Sequence, residues 1–273
     1  MPPRLRVASY NVHAGVDGWG RESGVVDVAV ALDADVLFLQ ESWRAGGVDL
    51  AETIAQRTGA SARSWRLGAG WRVTDGTGGV TWQPRTSLLY GNHGLHLDGE
   101  LPLSPQAARR LEAKPGAQRG EWCIALVSRL PLLETTTVEL PQLDKDRARR
   151  VVAITTLDAG AGPLTAVVVH GAHLSHGSLA QYRALTAALD ANVGDGPAVL
   201  GGDLNCWGPI ARRVLSGWRQ AARGATWPSW RPHSQLDHLF VRGTVACLDG
   251  GAVDARASDH RPVAATIEVR PAT

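Results

Sequence analysis

Apolar runs separated by segments of helical periodicity recur along the whole chain. Short runs rich in β-branched residues predict strands at 4–10, 34–41, 123–133, 149–157, 163–170, 197–202, 235–241 and 261–269. Apolar residues at helical spacing predict helices at 24–33, at 48–58 and from Ser178 onward. Ser178 and Gln181 have the spacing of a capping box, which would start the third helix.

The middle of the chain has a weaker pattern. Between residues 60 and 120, Gly, Trp, Arg and Pro are frequent and apolar runs are short, which predicts surface hairpins and loops. Elsewhere strands alternate with helices, but hairpin-like connections argue against a purely parallel sheet. The pattern therefore predicts an α/β (α+β) fold of two packed mixed β-sheets flanked by helices. No linker or low-complexity segment divides the chain, so residues 1–273 are expected to form a single domain.

Lone polar residues occur where these apolar runs begin or end. Six segments contribute them: Asn11 and His13, Glu41, His170 and His173, Asp203 and Asn205, Asp237 and His238, and Asp259 and His260. Each has an ordinary structural explanation by itself, such as a helix cap for Glu41 or a turn for Asp203 and Asn205. Because ligands bind at strand ends in such sheets, the six segments together predict a functional site.

The segment GGDLN, residues 201–205, follows one of the apolar runs. Its two glycines predict a tight turn that brings the backbone close to a bound ligand. Strand alternation would place Asp203 and Asn205 on one face and turn Leu204 into the core.

The candidate residues suit one kind of chemistry. Carboxylates with an amide are ligands for a hard cation such as Mg²⁺ or Mn²⁺, and clustered thiolates or imidazoles for zinc are lacking. Hydrolysis of a phosphate ester uses such a cation, an imidazolium that offsets phosphoryl charge and a carboxylate that deprotonates water. The set therefore predicts a phosphate-ester substrate.

Net charge, cysteine content and the lack of targeting segments bear on the ligand and the location of the protein. A formal net charge of +2 in 273 residues suits an anionic ligand but is far from the basicity of an obligate nucleic-acid wrapper. Three widely spaced cysteines, no secretory signal and no apolar stretch long enough to span a membrane predict a cytoplasmic protein without a transmembrane segment. No feature indicates an obligate protein partner.

Seven motifs together resemble those of a known family. They are SYNVH, DVLFLQES, ALVSRLPL, VHGAHLSH, LGGDLN, LDHLFV and SDHRPV, between about residue 5 and residue 269. Their order and spacing are similar to those of the endonuclease/exonuclease/phosphatase superfamily, which has the deoxyribonuclease I-like fold. The combination of LQE, GDLN and SDHRPV is specific, whereas each motif alone is weak. The resemblance implies a four-layer sandwich with the site at one edge of two facing sheets.

The resemblance also implies a metal site. Glu41 would be the principal ligand of Mg²⁺ or Mn²⁺, and Asn11 beside it would ligate or orient. Asp203 and Asp259 complete the implied metal set, and Asn205 would hold the phosphate or the metal.

The catalytic roles implied by the resemblance centre on a water molecule and a histidine. Asp203 would align and deprotonate the attacking water. Asp259 would orient His260, which stabilises charge on the scissile phosphate, and Asp237 would support a histidine. His173 would contact the phosphate or act as an acid near the leaving group. The expected catalytic residues are therefore His173, Asp203, Asn205, Asp237, Asp259 and His260.

Some positions depart from the family pattern and bear on the substrate pocket. Ile124 and Ala125 stand where the family often has Asn-Ala, and Ala172 replaces the threonine before His173. Tyr90 and His93 are candidates for a residue that some nuclease members place mid-chain. His13, Trp207 and Trp230 are expected to contact the substrate.

A nuclease-type phosphodiesterase is the first expectation for the substrate class. Basic stretches occur at 107–119 and 144–150, and Trp alternates with Arg at 65–72 and 227–231, which would suit phosphate contacts and base stacking. The alternative is an enzyme acting on a small-molecule or lipid phosphate, similar to a sphingomyelinase or an inositol phosphatase. A catalytically inactive binding module is the least favoured interpretation.

Overall fold

The computed structural model describes residues 2–74, 95–98, 104–114, 116–146, 148–160 and 162–270. The strands are β1 Arg4–Asn11, β2 Val36–Ala45, β3 Val48–Asp49, β4 Ser61–Val73, β5 Leu95–Asp98, β6 Ala117–Ser128, β7 Leu132–Glu139, β8 Val151–Asp158, β9 Pro163–His170, β10 Ala198–Asp203, β11 Arg219–Gln220, β12 Asp237–Arg242, β13 Val245–Ala252 and β14 Val263–Val269. The helices are α1 Val25–Ala31, α2 Leu50–Thr58, α3 Pro105–Glu112, α4 Leu179–Asn192 and α5 Gly208–Val214.

The strands form two mixed sheets. The first sheet has the order β13-β14-β1-β2-β6-β4-β5, with β3 paired to β2, and the second has the order β11-β12-β10-β9-β8-β7. β1 pairs with β2 in parallel, and β9 pairs with β10 in parallel, whereas their other neighbours are antiparallel. This arrangement confirms the predicted pair of mixed sheets.

Three apolar clusters show how the layers pack. The largest lies between the two sheets and contains residues such as Phe38, Ile124 and Val168. A second cluster packs α4 and α5 against the outer face of the second sheet. A third packs α1 and α2 against the outer face of the first sheet. The molecule is therefore a four-layer sandwich of helix, sheet, sheet and helix, as the resemblance implies.

Strand alternation decides which polar residues face the space between the sheets. Leu164, Ala166 and Val168 of β9 belong to the inter-sheet cluster, whereas Val167 and Val169 belong to the cluster under α4 and α5. His170, two residues after Val168, therefore lies on the inter-sheet face. The same parity applies to β1, β10 and β12, so Asn11, Asp203 and Asp237 also lie at this face, at one edge of the sandwich.

Several predicted elements differ in the structure. The region between 60 and 120, predicted to hold surface hairpins and loops with short strands, contains the long strand β4 and the start of β6, and the two pair along their lengths. A register shift between Arg66 and Gly68 hides the alternation of β4. The predicted strand 123–133 is two strands in different sheets, because Ser128 Oγ makes a turn through the backbone of Leu130. None of the helices in the described part of the chain combines the length and apolarity needed to cross a membrane.

The predicted capping box at α4 does not form. Ser178 is the N-cap residue, but its side chain makes no capping hydrogen bond. The Gln181 side chain instead accepts a hydrogen bond from Ala172 N at 3.1 Å and donates one to Pro141 O at 2.8 Å. Gln181 therefore fixes the backbone that follows β9.

The two glycines of GGDLN serve packing and not the predicted turn. Gly201 and Gly202 are strand residues of β10. A Cβ on Gly201 would lie 2.3 Å from the Phe38 ring, and one on Gly202 would lie 2.2 Å from Val169 O. The positive φ that turns the chain belongs to Asn205, at 50°. Gly201 therefore lets the two sheets approach each other directly behind Asp203, and Gly202 lets β9 and β10 lie close together within the second sheet.

Substitution of Gly201 by alanine is expected to destabilise the fold strongly. The added methyl group would overlap the ring of Phe38, which is fully buried and cannot move aside. Overpacking typically costs about 1–3 kcal/mol in free energy of unfolding, and we expect Gly201→Ala to lie at the upper end of this range. Thermal or denaturant unfolding measures the change, and Gly217→Ala is the matched control because open space surrounds Gly217. Equal stability of the two variants would contradict this packing.

Candidate active site

Asn11, at the end of β1, links acids from both sheets. Its Nδ2 donates to Glu41 Oε1 at 3.1 Å and to Asp203 Oδ2 at 3.1 Å. Its Oδ1 accepts a hydrogen bond from His13 N at 3.1 Å. Asn11 therefore orients the two carboxylates with its amide nitrogen, and its side-chain oxygen holds the backbone of the segment that follows β1.

Glu41 reaches the site through a β-bulge. The predicted strand ends at Glu41, but β2 continues to Ala45, and its register with β6 shifts between Leu39 and Ser42. Phe38 and Trp43 both face the inter-sheet core although five positions separate them, so the bulge reverses the alternation. Glu41 has φ of 56°, which is uncommon for a residue with a side chain. The bulge thereby turns the carboxylate towards the space between the sheets.

Asp203 ends β10 and organises the turn that follows. Its Oδ1 accepts a hydrogen bond from Asn205 N at 2.7 Å, which supports the left-handed backbone of Asn205. The Asn205 side chain donates to Gly171 O at 3.0 Å and lies 3.2 Å from His170 Nε2. Leu204 is buried under α4, as the alternation predicts.

His170 lies at the centre of the site, although sequence reasoning assigned the role in this segment to His173. His170 Nε2 is 3.6 Å from Asp203 Oδ2 and 3.9 Å from Glu41 Oε1. His173 lies three residues further along, is exposed, and its ring packs against that of His176 at 5.8 Å between centroids. The sequence does contain a signal for His170: the alternation of side chains along β9 places His170, and not His173, on the face between the sheets. The role assigned to His173 stays a prediction.

His260 is oriented by Asp237 and not by Asp259, which corrects one implied role. Its Nδ1 is 2.8 Å from Asp237 Oδ2, and its Nε2 is 3.8 Å from Asp203 Oδ2. Asp237 and Asp203 are paired residues of β12 and β10. The strand pairing therefore places His260 over the carboxylate of Asp203.

Asp259 faces a different histidine. Its Oδ1 is 3.6 Å from His13 Nδ1, which is itself 3.1 Å from Glu41 Oε2. His13, predicted to contact the substrate, is buried between these two acids and supports them. Ser258, which sequence reasoning did not single out, donates from Oγ to Asn11 O at 2.7 Å and also contacts Asp259 Oδ1 at 3.3 Å. Ser258 therefore ties the SDH segment to β1.

Two carboxyl groups of the site, Asp203 and Glu41, have pKa values shifted in opposite directions. Burial, and secondarily the nearby Asp237, raises the pKa of Asp203 to about 7 against the opposing charge of His260. Burial also opposes ionisation of Glu41, but His13 and Asn11 outweigh it and hold the pKa of Glu41 well below its usual range. Asp203 is therefore poised to exchange a proton near neutral pH, whereas Glu41 stays ionised.

Three of the buried histidines, all in contact with the acids of the site, also differ in charge. Burial lowers the pKa of His260, but Asp237, Asp259 and Asp203 outweigh it and raise that pKa well above the usual value. Burial is likewise outweighed at His13, where Asp259 and Glu41 raise the pKa to about 9. Burial and the charge of Arg150 lower the pKa of His170 to about 3. His260 and His13 are therefore imidazolium ions at neutral pH, and His170 is neutral.

The donor set fits a hard divalent cation. Glu41, Asp203, Asp237 and Asp259 are buried carboxylates at one edge, and Asp237 Oδ1 has no hydrogen-bond partner within the described residues. Ligand atoms of Asp203, Asp237 and His260 lie within 4.8 Å of one another. Protonation of His260 disfavours it as a ligand, so we regard the oxygen donors around Glu41 as the better cation site.

The predicted aromatic contacts lie at the rim of this edge. Trp230 and Asp259 both approach Gly18, where a Cβ would be 3.2 Å from the Trp230 ring and 3.1 Å from Asp259 Cβ. Trp207 follows Asn205 by two residues and is 56% exposed. Substrate contact by either residue stays a prediction. Tyr90 and His93 lie outside the described residues.

Substitution of Asp237 by asparagine is expected to lower the pKa of His260. The carboxylate that accepts its Nδ1 hydrogen is the largest influence that raises this pKa, and an amide removes the charge. An NMR titration of the imidazole signals measures the shift in metal-free protein. Asp190→Asn, at an exposed acid outside the site, is the control. An unchanged titration of His260 in Asp237→Asn would contradict the pairing.

A protein-family model places this constellation in a known group. The model of the Endonuclease/Exonuclease/phosphatase family matches residues 8–260, which include Asn11, Glu41, Asp203 and His260. The chain belongs to the endonuclease/exonuclease/phosphatase family. Members of this family are typically phosphoric ester hydrolases that depend on a divalent metal. No curated protein matches the chain by sequence.

Several solved structures share the fold of this chain. An endonuclease/exonuclease/phosphatase from Beutenbergia cavernae is 21% identical, with a TM-score of 0.60, over 97% of this chain and 72% of that chain. The human Nocturnin catalytic domain with a bound sulfate anion is 13% identical, with a TM-score of 0.61, over 99% and 96% of the two chains. TDP2 from D. rerio, complexed with a single-strand DNA product, is 14% identical, with a TM-score of 0.60, over 97% and 99%. At these identities the similarity establishes the family fold.

Proposed function

We propose that the protein is a divalent-metal-dependent phosphoesterase that hydrolyses a phosphodiester, with a nuclease-type activity as the first choice. The observation that carries the proposal is Asp203. It is a buried carboxylate with a pKa of about 7, and its Oδ2 lies 3.8 Å from His260 Nε2 and accepts a hydrogen bond from Asn11. Such a group is a competent base at neutral pH.

In this mechanism Asp203 accepts the proton of the attacking water. Asn11 and Asn205 N hold both carboxylate oxygens in place, so the base does not rotate as the water approaches. Because the base and the water are already positioned, less entropy is lost on reaching the transition state, and the barrier is lower. Asn205 also holds the backbone after His170, which keeps the two strand ends in register.

His260 supplies positive charge to the phosphoryl group. Its pKa is raised by Asp237, Asp259 and Asp203, although burial opposes the shift, so it is protonated at neutral pH. Asp237 fixes the ring through Nδ1 and leaves Nε2 for the phosphate oxygen. Preorganised donors of this kind stabilise charge that develops in the transition state.

Glu41 is proposed as the principal ligand of Mg²⁺ or Mn²⁺, with Asp203, Asp259 and Asn11 around it. Bound there, the ion would withdraw charge from the phosphoryl oxygens. His13 keeps Glu41 and Asp259 together, because its Nδ1 lies 3.1 Å from Glu41 Oε2 and 3.6 Å from Asp259 Oδ1. The chain's own contribution is therefore a fixed set of oxygen donors around the ionised Glu41 carboxylate.

Two observations support a nucleic acid as the substrate. TDP2, which shares the fold, has been crystallised with a single-strand DNA product. Trp19 and Trp230 pack together at the rim, with ring centroids 4.6 Å apart, and Arg21 lies over Trp19 at 5.4 Å. Aromatic and guanidinium groups beside a phosphoesterase site suit bases and phosphates.

A substrate panel tests the proposal. Single- and double-stranded DNA, RNA, phospholipid and sugar phosphates are incubated with Mg²⁺ or Mn²⁺, and EDTA serves as the control. We expect metal-dependent cleavage of DNA or RNA that weakens steeply with added salt, because phosphate contacts release counterions. Cleavage of only the lipid or the sugar phosphates would favour the alternative substrate class. No hydrolysis in any arm would contradict the proposed activity.

A further inference from the structure

The edge of the second sheet that carries Asp203 and His170 holds a further charged residue, Arg150. In the second sheet β12, β10, β9 and β8 are successive neighbours, and the first three contribute Asp237, Asp203 and His170. Arg150 directly precedes β8, which is antiparallel to β9, so Arg150 lies at the same edge. Its guanidinium carbon is 5.0 Å from the ring centroid of Trp122 on the facing sheet. The Trp122 ring is in turn 5.1 Å from that of His170.

The Arg150 guanidinium is fixed by hydrogen bonds, but one of its nitrogens has no acceptor in the described part of the chain. Its Nε donates to Asp146 Oδ2 at 2.7 Å, and its Nη2 donates to Asp146 Oδ1 at 3.2 Å. Ala148 N also donates to Asp146 Oδ1, which fixes the acid in turn. The remaining nitrogen, Nη1, is buried and has no acceptor among the described residues. The guanidinium therefore has a fixed direction and spare hydrogens.

Two neighbouring N–H groups are also buried without an acceptor among the residues that the structure describes. Trp122 Nε1 and His170 Nδ1 are buried without a hydrogen-bond partner in the described part of the chain. The Asn205 amide nitrogen donates to Gly171 O, so the same nitrogen faces His170 Nε2 as a donor. Nε2 is then an acceptor, and the proton of the neutral ring is on Nδ1.

Three buried donors on three touching residues call for an acceptor with several oxygens. A buried donor without an acceptor costs about 1–3 kcal/mol. A single water accepts only two hydrogen bonds, whereas a phosphoryl group offers several oxygens and matches the guanidinium fork. Asp146 accepts hydrogen bonds from Nε and Nη2 of Arg150, which leaves Nη1 for another acceptor.

We propose that Arg150, Trp122 and His170 form a subsite for a second phosphoryl group of the substrate, next to the phosphate that is hydrolysed. The imidazole of His170 separates this subsite from Asp203, since its Nε2 is 3.6 Å from Asp203 Oδ2. The assignment rests on the proposed phosphoesterase function and makes it more specific. The second phosphoryl group belongs either to the next linkage of a nucleic acid or to a small molecule with two phosphates.

Kinetic discrimination between matched substrates tests the subsite. Dinucleotides with a terminal phosphate at the 5′ end, at the 3′ end or at neither end are compared, and a sugar bisphosphate is compared with its monophosphate. We expect kcat/KM to be about 10-fold higher when the second phosphate is present, in line with a charged hydrogen bond. Preference in the dinucleotide arm identifies a nucleic acid, and preference in the sugar arm identifies a small molecule. Equal kcat/KM in every pair would overturn the subsite.

Variants assign the preference to these residues. Arg150→Met is expected to reduce the kcat/KM ratio of each substrate pair to about 1. Trp122→Phe, which keeps an aromatic ring but loses the pyrrole ring with its N–H, is expected to reduce this ratio partly. The matched control is Arg149→Met, because Arg149 is the exposed neighbour that pairs with Glu139. A preference that survives in Trp122→Phe and Arg150→Met would overturn the assignment.

A binding measurement keeps the test independent of turnover. The indole N–H signal of Trp122 is identified among those of the 10 Trp residues by its loss in Trp122→Phe. Inorganic pyrophosphate is then titrated into protein with EDTA. We expect a saturable shift of this signal in the wild-type protein. The absence of a shift would overturn the subsite, whereas a shift without turnover of any substrate would contradict the proposed function alone.

Discussion

Replacement of Asp203 by asparagine is expected to lower kcat by about 10³-fold or more. The asparagine preserves the shape of the side chain but cannot accept the proton of the attacking water. Burial raises the pKa of Asp203 to about 7, so the carboxylate is basic enough for this role at neutral pH. The effect should fall on kcat more than on KM, because the proton moves only in the transition state.

The control for Asp203→Asn is Asp195→Asn. Asp195 is a fully exposed acid near Arg242, away from the site, so its substitution is expected to leave the rate unchanged. Near-UV circular dichroism of both variants reports whether the core is intact. A folded Asp203→Asn protein that keeps wild-type kcat would show that another group activates the water.

Replacement of His260 by glutamine is expected to lower kcat by about 10²–10³-fold. Glutamine keeps a hydrogen-bond donor near the Nε2 position but removes the positive charge that offsets phosphoryl charge. Asp237 and His260 share the hydrogen bond of 2.8 Å, so they are expected to act as one unit. The Asp237→Asn/His260→Gln double variant should therefore lose little more activity than His260→Gln alone.

A double-mutant cycle of kcat measures this coupling. Asp190→Asn combined with His260→Gln is the control pair, because Asp190 is exposed and lies outside the site. If the losses caused by Asp237→Asn and His260→Gln are simply additive in free energy, the two residues act independently and the pairing has no catalytic meaning.

Much of the site was predictable because strand parity is regular. Six of the lone polar segments contribute a residue to one edge, although His173 does not join it, and Asn11, Asp203 and Asp237 reach this edge through ordinary alternation. The two sheets and the flanking helices followed from the same periodicity. These features depend on local patterns that each run carries in itself.

The parts that were missed depend on contacts between distant segments. The alternation of β9 favours His170 over His173, but the position of His170 beside Asp203 follows from the pairing of β9 with β10, which no single run contains. The bulge that turns Glu41 inward is visible only in its register with β6. The purpose of Gly201 required knowledge that Phe38 packs against it from the other sheet.

The most direct measurement is the hydrolysis of DNA, RNA and bis(p-nitrophenyl) phosphate by protein stripped of metal with EDTA, before and after excess Mg²⁺ or Mn²⁺ is returned. We expect no turnover by the stripped protein, recovery in the wild type, and little recovery in Glu41→Gln, which lacks the principal ionised ligand. Turnover that persists in EDTA, or equal recovery in wild type and Glu41→Gln, would contradict a metal-dependent phosphoesterase site at this edge.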